Sequence, residues 1–150
     1  MEPGFVDLLI RIRGADAEAR RYPVEAVVDG SSEFFGGVLD LDTQALLAQT
    51  LDVAAYGEIL SEALFSRPIQ RAYDQAVSRA QERRAGRLRL RLQIDPDASA
   101  LQALRWERLM LRHQGRATPA AVAIKTPLGS PLNRSKLTQW IIFMPALTRS

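Results

Sequence analysis

One histidine and no cysteine limit what side-chain catalysis this chain of 150 residues can perform. A nucleophile needs a base to take its proton, and the base needs a group to orient it. His113 stands in LRHQGR, with arginine on both sides, at the end of a predicted helix. That is the setting of a solvated helix-terminus histidine. Without cysteine there is no disulfide framework, thiolate zinc site or cysteine nucleophile. A lone histidine does not make a transition-metal cluster. No GxxxxGKS, GxxxxGKT or GxGxxG phosphate loop occurs. The sequence therefore predicts no catalytic residue, no metal and no cofactor.

Other groups with chemical potential have plainer uses. Asp40 and Asp42 are two apart in DLD, where like charges on one face could raise a pKa. The following TQ makes this a helix entry, with Asp42 or Thr43 as the cap. Tyr56, Phe65 and Tyr73 fall at helical spacing and read as core, as does Trp106. Glu107 beside Trp106 would need Arg105, Arg108 or Arg89 if desolvated, or else lies on the surface of a helix.

The stretch RLRLRLQI, residues 87–94, poses the sharper question. Arg87, Arg89 and Arg91 alternate with Leu88, Leu90 and Leu92. On a strand the arginines form a stripe about 14 Å long that could meet phosphates. Base readers combine arginine with exposed aromatics or a free helix, and here the interleaved residues are leucines. Charge along the chain is uneven: twelve acids and four bases through Glu62, then five acids and sixteen bases from Ala63. The basic half, including Arg83 and Arg84, could meet nucleic acid or the acidic half of its own chain.

The elements that position these groups follow from periodicity. Alternation predicts strands over Phe5–Arg13, Tyr22–Asp29 and Phe34–Leu41, joined as an antiparallel meander. Gly36-Gly37 allows a bulge or close approach in the third. A short helix over QALLAQ and a longer one capped by Asp52 come next. The longer one carries Tyr56, Ile59, Leu60, Ala63 and Leu64 on its apolar face. Pro68 opens a third helix through Ala80, with Gly86 as a candidate cap. After the Arg/Leu strand, Asp97 or Ser99 should cap a helix holding Leu101, Leu104, Trp106, Leu109 and Met110. This β-α unit would need a further parallel strand to complete a crossover. Residues 117–150 read as a loop-rich tail with one short strand at Ala121–Lys125. The fold class is α/β, with α+β as the variant: an N-terminal antiparallel meander, then helices packed on a sheet.

Three segments together resemble the N-terminal part of CHAT domains, the caspase-like peptidase family of bacterial multidomain proteins. They are AYGEILSEALFS, YDQAVSRA and RLRLRLQIDPDASALQALRWERL. The matching positions are Tyr56-Gly57, Ala63-Leu64-Phe65, Leu88, Leu90 and Leu92, and the Trp106-Glu107 helix with Leu109. The resemblance covers roughly residues 5–112, and its most specific part is the Trp-Glu helix preceded by the Arg/Leu strand. Arg105 stands where the family commonly has proline. The family's histidine and cysteine lie beyond the Trp-Glu helix, and His113 does not match that histidine's context.

The resemblance thus implies the front half of a caspase-like fold, residues 1–116, followed by a divergent tail at 117–150. It implies no peptide hydrolysis by this chain alone, and a truncated or isolated first half. The expected role is that of a structural or regulatory protein-interaction module. Its partner would be another protein, the missing C-terminal half, or a second copy. The alternative is an arginine-rich nucleic-acid-binding module on Arg83, Arg84, Arg87, Arg89 and Arg91. The absence of cysteine fits a cytoplasmic protein. MEPGFVDLLIRIR lacks the basic start of a signal peptide, and TQWIIFMPAL is too short to span a bilayer, so no membrane role is expected.

Overall fold

The computed structural model describes residues 5–14, 21–29, 31–82, 87–113, 116–119, 122–128 and 137–144. Strands β1 (Phe5–Ile12), β2 (Arg21–Val28) and β3 (Phe34–Asp40) form the expected antiparallel meander. In β1, Val6, Leu8, Ile10 and Ile12 are buried while the alternate residues are half-buried, so one face is core. Helix α1 (Thr43–Leu47) starts at Asp42, whose carboxylate accepts from the Gln44 and Ala45 amides. Asp42 is therefore a cap. Asp52 caps α2 (Val53–Leu64) in the same way. Helix α3 (Arg67–Glu82) places Pro68 in its first turn.

Strand β4 (Arg87–Ile94) returns beside β1 and pairs with it in parallel, so α1–α3 lie within the crossover from β3 to β4. Helix α3 runs across the core face of β1–β4. Close approach occurs at Gly37, where a Cβ would stand 2.6 Å from Ser66 Oγ and 3.2 Å from Ile69 Cγ1. Tyr73 of α3 is buried and meets Phe65 edge-on at 5.4 Å. Burial, and secondarily Asp74, raises its pKa above the ordinary phenol value, so the ring stays neutral. Tyr73 is core, as the spacing indicates, and Phe65 is half-buried against it.

Beyond β4 the structure departs from the sequence reading. The expected helix after Asp97 is only α4 (Ser99–Gln102), with Ala98 at its N-cap position and no side-chain cap. Trp106–Arg108 is one 3-10 turn, and the chain then turns into β5 (Met110–His113). His113 consequently lies on a strand and not at a helix end. Nor is residues 117–150 simply a loop-rich tail. Strand β6 (Arg116–Pro119) pairs with β5 as a separate hairpin, while β7 (Val122–Leu128) and β8 (Leu137–Phe143) join the main sheet. The order is β3-β2-β1-β4-β8-β7. The further neighbour of β4 is β8, and it is antiparallel, so the parallel strand expected after the Trp-Glu segment is replaced by a hairpin. The fold is α/β with a mixed sheet. Among the described residues, no helix is long and apolar enough to cross a membrane.

Candidate functional site

Two places gather the residues singled out by type and spacing. The first is a joint between α2 and residues 105–112. The Tyr56 hydroxyl accepts from the Arg105 amide at 2.9 Å. The Arg108 guanidinium lies 4.9 Å from the centre of the Tyr56 ring and donates to the Thr50 carbonyl at 2.7 Å. Gly57 faces the carbonyl of Arg108, where a Cβ would sit only 2.1 Å from that oxygen. One turn on, Ser61 donates through its hydroxyl to the Met110 carbonyl. From α3, Gln70 donates to the Arg112 carbonyl at 2.8 Å. Trp106 is fully buried, and its indole N–H donates to the Leu101 carbonyl at 2.9 Å.

These bonds explain why the Trp-Glu segment is not a long helix. Two helices read its backbone from the side. The Arg105 amide and the Arg108, Met110 and Arg112 backbone oxygens are engaged or crowded by α2 and α3. A regular helix over 99–112 would require the Arg105 amide and the Arg108 carbonyl for its own ladder. Glu107 is exposed, with Arg105 Nη1 at 3.9 Å; the buried Trp106 does not draw it inward. Leu64 is buried and Phe65 half-buried at the far end of α2. Tyr56, Gly57 and Trp106 thus meet at one joint, whereas Leu88, Leu90 and Leu92 line the sheet's core face.

The second place is the opposite face of the sheet, which carries the alternate residues of RLRLRLQI. Arg89 is held by Asp7, its register partner on β1, through a two-pronged bond of 2.6 and 3.0 Å. Its guanidinium also lies over the Phe5 ring at 5.1 Å. Arg11 meets Asp95 at 3.3 Å, and Arg13 grips Glu25 at 2.8 and 3.2 Å. Glu25 raises the Arg13 pKa by hydrogen bonding and charge. Gln93 donates to Gln139 at 3.0 Å. The basic half of the chain therefore meets the acidic half directly: Arg89 is tied to Asp7. Arg87 is exposed, Arg91 is half-buried, and Arg83 and Arg84 lie outside the described residues.

Half-burial and two-pronged geometry make the Asp7–Arg89 pair stronger than an ordinary surface pair. We expect Asp7→Asn to cost about 1 kcal/mol in urea unfolding at low salt, less at high salt. Equal loss at both salt levels would assign the effect to packing instead.

Sequence reasoning passed over the residues that complete this face. Leu9 counted as an exception to the alternation in the first strand, and Ile141 belonged to an apolar run tested only against membrane length. The short continuous run WIIF, rich in β-branched and aromatic residues, is the signal that could have found β8. Among the described residues, no three His, Asp or Glu side chains are grouped to hold a metal ion. No protein-family model, curated protein or solved structure matches this chain.

Proposed function

We propose that this chain is the non-catalytic N-terminal part of a CHAT-like, caspase-like domain and works as a structural or regulatory protein-interaction module, in the cytoplasm. The observation that carries the interaction reading is apolar surface turned to solvent on both sides of the molecule. Phe34, Val38 and Ile124 are exposed on the sheet, and Leu47, Leu51 and Val53 around the α1–α2 turn. The cluster around the α1–α2 turn is the kind of grouped apolar exposure that marks contact surfaces. The family reading rests on the sequence motifs, and the tight joint of Tyr56-Gly57 with Trp106 gives those motif residues a structural task. The nucleic-acid reading is weakened because Asp7 already holds Arg89.

Sedimentation equilibrium combined with titration by 1-anilinonaphthalene-8-sulfonate tests this reading. A folded chain with an interaction surface binds the dye saturably, or self-associates and hides the surface. A rigid monomer that binds no dye would overturn it. Steeply salt-dependent binding of a duplex at physiological salt, lost in Arg87→Met, would favour the nucleic-acid alternative instead.

A further inference from the structure

The face of the six-stranded sheet turned away from α3 carries one row that crosses all six strands. Register partners run Phe34, Val27, Leu9, Arg91, Ile141, Ile124, from the β3 edge to the β7 edge. Five inter-strand steps make the row about 24 Å long. Five of the six residues are apolar, and the sixth is a cation near the middle. The neighbouring rows are polar and internally matched, with Asp7 on Arg89, Glu25 on Arg13 and Gln93 on Gln139. Arg91 is different. Its Nε is buried and has no hydrogen-bond partner, and it enters no ion pair among the described residues. A half-buried guanidinium with one shielded nitrogen and no acceptor is costly, and its terminal nitrogens, which are not shielded in the same way, can take a carboxylate from outside.

Resting on the interaction reading above, we infer that this row is the docking surface for an acidic amphipathic helix of a partner protein. The helix sets apolar side chains on Leu9, Val27 and Ile141 and one carboxylate on Arg91. Charge decides between this occupant and a second copy of the chain. On this face the carboxylates Asp7, Glu25 and Asp40 each already hold an arginine: Arg89, Arg13 and Arg21. A two-fold contact centred on the row would bring two Arg91 side chains together, and these three paired carboxylates would offer neither of them a free acid. An apolar helix without an acid would cover Leu9 and Ile141 but bury Arg91 further with nothing to accept its hydrogen bonds.

The probe is a labelled helical peptide of about 18 residues, about 27 Å long, with a leucine stripe interrupted by one central glutamate. Its twin carries lysine at that position. Anisotropy titrations on the intact chain should show the glutamate peptide binding at least tenfold more tightly than the twin. Arg91→Met, which keeps the apolar stem, should abolish that preference. Arg71→Met makes the same charge change on α3, on the other side of the sheet, and should preserve it. Ile124→Asp, at an exposed edge position, should weaken the glutamate peptide at least fivefold. Equal affinity for the twins, a preference that survives Arg91→Met, or no binding of either peptide overturns the inference. Binding weakened by Leu51→Ser and not by Ile124→Asp places the contact at the α1–α2 turn. That outcome removes this docking face while leaving the interaction reading intact.

Discussion

Replacing Trp106 by alanine is expected to lower unfolding free energy by about 3–5 kcal/mol. The side chain is fully buried. It sits on a 3-10 turn held by α2 on one side and near β7 on the other, so the space it leaves cannot close without moving two elements. The Leu101 carbonyl would also lose its indole donor. Trp106→Phe separates these contributions, since it keeps much of the volume and removes the N–H. The expected loss from the missing hydrogen bond is about 1 kcal/mol. Urea denaturation followed by circular dichroism measures both without depending on tryptophan fluorescence. A loss below about 1 kcal/mol for Trp106→Ala would mean that the residue is not in the core.

The second large effect is at Gly57, and here the sign itself is informative. In a free helix, Gly→Ala would stabilise by about 1 kcal/mol. In this fold the new methyl would stand 2.1 Å from the Arg108 carbonyl oxygen and 3.3 Å from its carbon. Both are backbone atoms, so no rotamer change relieves the clash. Either α2 or the Trp106 segment must shift, breaking the bond from the Arg105 amide to the Tyr56 hydroxyl. Overpacking of this kind costs about 1–3 kcal/mol, enough to outweigh the helix gain. Gly57→Ala should therefore unfold at lower urea, and its effect should be less than additive with Trp106→Ala because both disturb one joint. A stabilised Gly57→Ala protein would show that the joint is not formed.

Much of the front of the fold was legible because its signals are local. Alternation in FVDLLIRI, interrupted at Phe5 and Leu9, and strict alternation in RLRLRLQI identify strands with one buried face, and Asp42 and Asp52 mark helix starts through their own hydrogen bonds. The segment after Asp95 misled because leucines at 101, 104 and 109 keep helical spacing. Their burial instead comes from turns pinned by Tyr56, Ser61 and Gln70, which are distant in sequence. The final hairpin was hidden by Pro127, which reads as a strand breaker. It stands in β7, an edge strand, where a missing amide donor is tolerated. The open face could not be read from either half alone, since Arg91 gains its apolar neighbours from β1 and β8. Only the register reveals that its row lacks an acid.

The central claim is that RLRLRLQI is the spine of the sheet, bonded to β1 on one side and β8 on the other, with its Arg89 committed to Asp7. Hydrogen exchange of the intact chain tests it most directly. Amides of residues 88–94 should be among the slowest to exchange, opening only with global unfolding. Exchange of this stretch as rapid as that of the α1–α2 turn would contradict the claim, because a solvated basic ribbon has no such protection.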